Sequence, residues 1–481
     1  MSVRTSLAWT FSEQTLQYGL QFAAAVIIAR LLTPDELGIF ALAMSAAAVL
    51  TALRTFGVGN YLIREPDLNP EKICSAFGVM LIMSWVLGLL LFLARHHLAE
   101  FYGRSGIAEV MALLALSFLI APFGAPATAL LTREMRFGAL HNIGLLSNVS
   151  GTLLSVSLAF AGYSYMALAW GILLTAFLSA LLPMLVLPRY AFIRPSLVYW
   201  RDITRFGGLL SLSQVISTAN TQGTRFILGA FTSPALVAQF IRASQIPNLY
   251  RNGIFAPVAR VLVPAWSKSI RDGHSIAAGV EKLVALNTVL VWPVFLALGL
   301  IAVPFITLVF GENWRPAGEI FAWILLAQAI IVILPQPEQV LVPHGRIARL
   351  LTFRSATAVF SLSTAAYGAA LGLEAFAMSR VLVACFFVTA NFVAIKDLVS
   401  FQGRRFGIIY LRSAFVAVFA SVPAAAYHLG GPGVTDLIDL LTVIAGCALL
   451  WLLGAAATGH VVWLEGLAAL RRVWAARRLS P

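Results

Sequence analysis

The sequence predicts an all-α polytopic membrane protein with about fourteen spanning helices, set out as two six-helix lobes in a parallel repeat plus two C-terminal helices. Three observations carry that prediction. Of 481 residues, 60% are hydrophobic and 11% charged, with a mean hydropathy of +0.88. Apolar runs of about 20 residues, enough to cross a bilayer as helix, recur along the whole chain. A helix-turn motif near the N-terminus returns in mid-chain at an offset of 200.

The first two spans, 12–32 and 37–60, are joined by Thr33-Pro34-Asp35-Glu36. Proline suits the first turn of a helix, and acids there complement the helix dipole. Spans at 74–94, 107–131, 141–162 and 165–187 complete an N-lobe over 1–200. The C-lobe, 201–400, holds spans at 205–231, 235–266, 283–310, 317–341, 347–371 and 373–395. Two added helices follow at 407–429 and 437–458 within 401–460, and a basic tail occupies 461–481. No connection is long enough for a folded domain. The N-terminal segment, with Arg4 and then a polar run from Thr10 to Gln17, does not read as a cleavable signal peptide.

Charge orients these spans. With both ends cytoplasmic, the inner segments take most of the 33 basic residues, while the outer loops carry only Arg95, Arg104 and Arg315. That is the positive-inside asymmetry, and it accounts for the net charge of +13 without nucleic acid.

In the repeat, Thr33-Pro34 matches Ser233-Pro234, Leu37 matches Val237, Gly38 matches Ala238, Phe40 matches Phe240 and Ala43 matches Ala243. Six spans separate the copies, so both have the same orientation. Halves related in this way place a substrate site between them.

The stretch from Ser211 to Lys268 is apolar yet contains Arg225, Arg242, Arg251 and Arg260, with no carboxylate between Asp202 and Asp272. A guanidinium in hydrocarbon costs roughly 2.5 kcal/mol or more, so such residues face a bundle interior or a wet cavity. Gln214, Thr218, Thr221 and Arg225 recur at spacings that place them on one helix face. Arg242, Arg251 and Arg260 are nine residues apart, about 13 Å per step along a helix. Pro247, Asn252-Gly253, Pro257 and Pro264 predict that this helix is broken, a device that lets backbone line a cavity. Arg30 and Arg54, on the matching first two helices, join the candidate site, as do the polar residues Gln239 and Gln245. The plainer alternatives are snorkelling to the headgroups, above all for Arg260, and pairing with carboxylates.

Other chemistry is sparse. The carboxylates in or beside spans, chiefly Glu13, Glu338 and Glu374, form no close pair in sequence. Cys74, Cys385 and Cys447 are far apart and lack metal spacing. No Walker lysine motif is present. No cofactor, metal or nucleic-acid partner is expected. Clustered arginines in a wet cavity suit phosphate or diphosphate, which a planar guanidinium binds at two points.

The run Ala29-Arg30-Leu31-Leu32-Thr33-Pro34-Asp35-Glu36-Leu37-Gly38-Ile39-Phe40 resembles the first hairpin of the Wzx-like polysaccharide transporter family, in the multidrug/oligosaccharidyl-lipid/polysaccharide (MOP) exporter superfamily. Phe310-Gly311-Glu312-Asn313-Trp314 resembles the turn after that family's ninth helix, and the repeat copy with Phe240 adds to the likeness. The resemblance implies a flippase that carries a polyprenyl-diphosphate-linked oligosaccharide, of the undecaprenyl type, across the bacterial inner membrane for capsule, exopolysaccharide or O-antigen assembly. It implies alternating access through a cationic cavity between the lobes, with membrane lipid around it and a polysaccharide polymerase and chain-length machinery as partners. Many such relatives carry an acid near the middle of helix 7, where this chain has Thr224-Arg225. That departure argues against carboxylate-based ion coupling there and for a strongly anionic substrate. The rivals are flipping of the peptidoglycan precursor, cation-coupled drug export, and an enzyme such as a polymerase or ligase acting on the same lipid.

Overall fold

Helix ends follow the capping chemistry written in the sequence. Thr33 and Glu36 bond reciprocally at the start of α2 (Pro34–Arg54): the Thr33 amide donates to Glu36 Oε2 at 2.7 Å and the Glu36 amide to Thr33 Oγ1 at 3.4 Å. The Asn69 side chain caps α4 (Pro70–Tyr102) by accepting from the Lys72 amide at 2.8 Å, and Gly103, at φ 64°, closes its other end. The computed structural model describes residues 19–54, 58–190, 193–430 and 434–464; the side chains of Asn60, 205–214, Ile254, Ala256 and Arg260 also lie outside the described residues. So does the basic tail from 465 onward.

Two compact units divide the chain at Ala238 and Gln239. The first contains α1 (Gly19–Leu31), α2, α3 (Val58–Arg64), α4, α5 (Gly106–Ile120), α6 (Ala125–Arg133), α7 (Phe137–Phe160), α8 (Met166–Val186) and α9 (Trp200–Phe231). Helix α10 (Pro234–Ala243) crosses the division. The second contains α11 (Gln245–Tyr250), α12 (Ala256–Arg271), α13 (Ala277–Leu300), α14 (Ala302–Phe310), α15 (Arg315–Ile331), α16 (Pro337–Leu341), α17 (Ile347–Ala370), α18 (Leu373–Ile395), α19 (Gly403–Ala420), α20 (Val422–Gly430) and α21 (Leu437–Ala457).

Among the described residues, eight helical stretches are long and apolar enough to cross a membrane, or nine if α19 and α20, bent by 46°, form one span. Of the other predicted spans, 205–231 lies in the continuous helix α9 and 347–371 in α17, while 235–266 and 317–341 are interrupted. The predicted span 235–266 is α10, α11, a π-helical turn at Arg251–Phe255 and α12. The break falls where the prolines and Asn252-Gly253 place it. Span 317–341 divides into α15 and α16, and α16 opens on a capping box of Gln336 and Gln339.

In the first unit α2 packs on α5 and α9, and α7 pairs with α8. Small residues set these distances. A Cβ on Gly38 would lie 1.9 Å from the Pro234 carbonyl oxygen, so the start of α2 seats against the α9–α10 turn only as glycine. On the α7–α8 pair, a Cβ at Gly151 would meet Thr175 Oγ1 at 1.9 Å and one at Gly171 would meet Ser155 Oγ at 1.8 Å. Small-residue seams of this kind let membrane helices approach closely where hydrophobicity supplies no drive between them.

The second unit pairs α17 with α18, sets α15 on α18, and lays α19 and α21 beside each other, with α13 against both. Trp451 donates to the Val289 carbonyl at 2.8 Å, and Ser413 bridges Thr288 at 2.8 Å and His460 at 3.3 Å. Positive φ marks Gly103, Met135 and Gly162 in the first unit and Gly311, Gly345 and Gly372 in the second. The residue after Met135 and the one after Gly345 each bond back to a leucine carbonyl at 2.9 Å, Arg136 to Leu131 and Arg346 to Leu341. Large apolar side chains such as Leu93, Leu153, Leu411 and Val418 are exposed on long helices, as lipid-facing surfaces require.

Candidate functional site

The in-membrane arginines do not share one environment. Arg242, at the end of α10, is buried, its guanidinium 4.7 Å from the centre of the Phe310 ring and 4.6 Å from that of Trp314. It donates to Gln245 Oε1 at 2.7 Å. Gln239, three residues earlier, is also buried. Its amide nitrogen donates to the Asn313 carbonyl at 2.8 Å, and its oxygen accepts from the Ala317 amide at 3.0 Å. Gln239, Arg242 and Gln245 thus have packing or bonding partners inside the second unit, where they anchor α10 and α11 to the Phe310–Ala317 turn.

Arg251 is different. It opens the π turn and is exposed, while its neighbour Tyr250 points inward to donate to Asn287 Oδ1 at 3.1 Å. π turns recur at functional sites because they shift the register of the side chains around them. In α9, Arg225 is half-buried and donates to Gln222 Oε1 at 3.0 Å. Thr218 is half-buried, and Thr221 is exposed with its hydroxyl given to the Ser217 carbonyl at 3.1 Å. Arg30, on α1, is exposed. Gln214 and Arg260 lie outside the described side chains. Arg30, Arg54 and Arg225 belong to the first unit, and Arg242 and Arg251 to the second.

Arg54, the last residue of α2, faces a cavity of about 540 Å³ within the first unit. The cavity is walled by α2, α3, α5, α6 and α8 and by the Ala121–Gly124 turn. Beside Arg54 it exposes Thr51, Ser117, Thr128, Thr132, Thr175 and Ser179. Sequence reasoning singled out Arg54 but not these hydroxyls. They come from four helices scattered over more than a hundred residues, and only packing collects them.

Arg380, in α18, is a further in-span cation that the sequence left unassigned. Its guanidinium donates to Ser361 Oγ and the Ser361 carbonyl at 3.2 Å, to Thr364 Oγ1 at 3.3 Å and to Ser379 Oγ at 3.0 Å, and lies 4.8 Å from the Phe376 ring. Neutral oxygens satisfy it. Carboxylate pairs gather instead at helix ends: Asp35 with Arg104 at 3.0 Å, Glu338 with Arg354 at 2.5 Å, and Asp397 with Arg349 at 2.7 Å. The Arg349 hydrogen bond holds Asp397 below the usual carboxylate range. Burial, with a smaller contribution from Arg412, pushes the His460 imidazole down from its ordinary value. Among the described residues no cluster of His, Cys, Asp and Glu could hold a metal ion.

Long apolar helices and a broken cationic helix define a multi-pass helical membrane protein, and solved structures give its fold. The inward-closed lipid II flippase MurJ aligns with a TM-score of 0.73 at 14% identity, covering 93% of this chain and 98% of that one. An inward-facing multidrug resistance MATE family transporter of the MOP superfamily aligns at 0.59 and 16% identity, covering 80% and 95%. A family model described as polysaccharide biosynthesis protein matches residues 27–319, and the chain belongs to that family. Similar proteins include the succinoglycan biosynthesis transport protein ExoT of Rhizobium meliloti, 24% identical over 76% of this chain and 74% of its own length. The lipopolysaccharide biosynthesis protein WzxC of Escherichia coli is 23% identical over 64% of this chain and 63% of its own. The match therefore spans less than two thirds of WzxC.

Proposed function

We propose that this protein is a flippase that moves a polyprenyl-diphosphate-linked oligosaccharide from the cytoplasmic to the outer leaflet of a bacterial inner membrane, supplying surface polysaccharide assembly. The observation that carries the reading is the stretch from Ser211 to Lys268, which holds four arginines in an apolar run and no carboxylate. Membership of the polysaccharide biosynthesis family supports the same substrate class.

In this reading both termini are cytoplasmic and the chain forms two lobes, 1–200 and 201–400, related by a parallel repeat. Arg225 and Arg251, with Arg30 and Arg260, attract the diphosphate into an inward-open cavity lined by Gln214, Thr218 and Thr221. Gln239, Arg242 and Gln245 hold the broken helix in place so that Arg251 is presented correctly. Arg54 takes a separate part within the first unit. The prenyl tail stays in lipid, and rocking of the lobes exposes the headgroup outside. A potential negative inside favours outward movement of an anion by about 2.3 kcal/mol per charge per 100 mV. Drug export of cations would need a cavity of opposite sign. The polymerase and chain-length machinery would then receive the flipped lipid.

Deleting the gene tests the reading. Lipid-linked oligosaccharide should accumulate on the cytoplasmic leaflet and surface polymer should disappear; unchanged polymer and no accumulation would reject it.

A further inference from the structure

We infer that the cavity inside the first unit is a glycan subsite for an acidic sugar, in which Arg54 pairs with the sugar's carboxylate and the threonine and serine oxygens accept from its hydroxyls. The inference rests on the reading of this protein as a glycolipid transporter and names part of the substrate.

The hydrogen bonds decide the chemistry of the cavity. Thr51 Oγ1 donates to the Ala47 carbonyl at 2.8 Å, Ser117 Oγ to Leu114 at 2.6 Å and Thr128 Oγ1 to Gly124 at 2.9 Å. Thr132 Oγ1 donates to Thr128 and Thr175 Oγ1 to Gly171, each at 2.9 Å. A hydroxyl has one proton and two lone pairs. With their protons committed to helix carbonyls, Ser117, Thr128, Thr132 and Thr175 offer acceptor oxygens to a ligand. Turning one round to donate would give up a bond worth about 1 kcal/mol.

Arg54 supplies the complementary group. Among the described residues it makes no hydrogen bond or ion pair, and its guanidinium carbon lies 5.0 Å from the centre of the Phe118 ring. A strong cationic donor therefore stands uncommitted beside a wall of acceptors. Diphosphate fits poorly, because its oxygens are acceptors on every side and would face the threonine oxygens. A neutral sugar offers Arg54 hydroxyl oxygens but no opposite charge. A sugar acid answers both halves, with hydroxyl donors for the wall and a carboxylate for the guanidinium. The volume lies within the roughly 300–1,000 Å³ of small-ligand sites. Arg54 ends α2 and Thr132 nearly ends α6, both cytoplasmic ends in the proposed orientation, so the cavity lies where a glycan enters from the cytoplasm.

The full chain, purified in detergent, is melted in the presence of D-glucuronate, D-glucose and inorganic pyrophosphate as probes. Ligand binding to the folded state raises Tm with concentration. Glucuronate should stabilise the protein more than glucose. Arg54→Gln should weaken the glucuronate response about tenfold or more, as the loss of one charge-assisted bond predicts. Thr128→Val, which removes a wall acceptor at nearly constant volume, should weaken it too and serves if Arg54→Gln does not fold. Arg315→Gln, at an exposed residue paired with Glu312, should leave it unchanged. The inference fails if glucuronate gives no shift up to about 10 mM, above the range of a millimolar subsite. It fails also if the shift survives both variants, or if pyrophosphate gives the larger Arg54-dependent shift. A glucuronate response that tracks Arg54, in a protein whose deletion leaves lipid-linked saccharide undisturbed, would reject the flippase reading and keep the site.

Discussion

Arginines that look alike in the sequence differ in what surrounds them. Arg242 lies 4.7 Å from the centre of the Phe310 ring and 4.6 Å from that of Trp314, contacts that a planar guanidinium makes better than an ammonium. Arg242→Ala should therefore lower stability by roughly 2 kcal/mol, the scale of a desolvated cation–π contact, and Arg242→Lys should not fully restore it. Melting of the purified variants measures this. Arg251 is exposed on a π turn, so Arg251→Ala should leave melting within about 0.5 kcal/mol of wild type, as for an exposed substitution, and reduce transport instead. Equal loss of stability in the two variants would contradict the division. The sequence could place both in apolar helix but not tell them apart, because Phe310 and Trp314 lie some seventy residues away in sequence.

At the scale of elements, glycines and prolines decide which helices bend and which touch. Gly38→Leu should dislodge α2 from the α9–α10 turn, and Gly151→Leu should part α7 from α8. Each should cost several kcal/mol by overpacking, and both are read as reduced yield of folded protein, with Gly19→Leu, which has open space, as the tolerated control. His460, just beyond α21, ties that helix to α19 through Ser413. Its folded pKa is depressed below 6.5, so the unfolded chain takes up a proton first as pH falls. The stability it contributes is fully present above pH 6.5 and is lost as pH drops below that value. Tm should decline as the pH falls below about 6.5, and His460→Asn should flatten the decline. The broken helix was legible in its prolines. The π turn within it was not, since no residue pattern distinguishes five residues of π from α.

At the scale of the whole molecule, hydropathy and the positive-inside bias were enough to read a polytopic helical membrane protein, because bilayer thickness and loop charge act on composition alone. Thr33-Pro34 and Ser233-Pro234 were legible as helix starts for the same local reason, since each opens a helix with proline. The candidate site was legible only as charge. Its hydroxyl wall is assembled from Thr51, Ser117, Thr128 and Thr175 on separate helices, whose residues carry no mark of their neighbours. The central claim is that cation inside the membrane attracts an anionic lipid headgroup. It is tested most directly by the leaflet distribution of lipid-linked oligosaccharide in cells carrying Arg225→Ala with Arg251→Ala, once the variant is shown to insert at wild-type level. The account predicts accumulation on the cytoplasmic leaflet with loss of surface polymer, and normal polymer with no accumulation would contradict it.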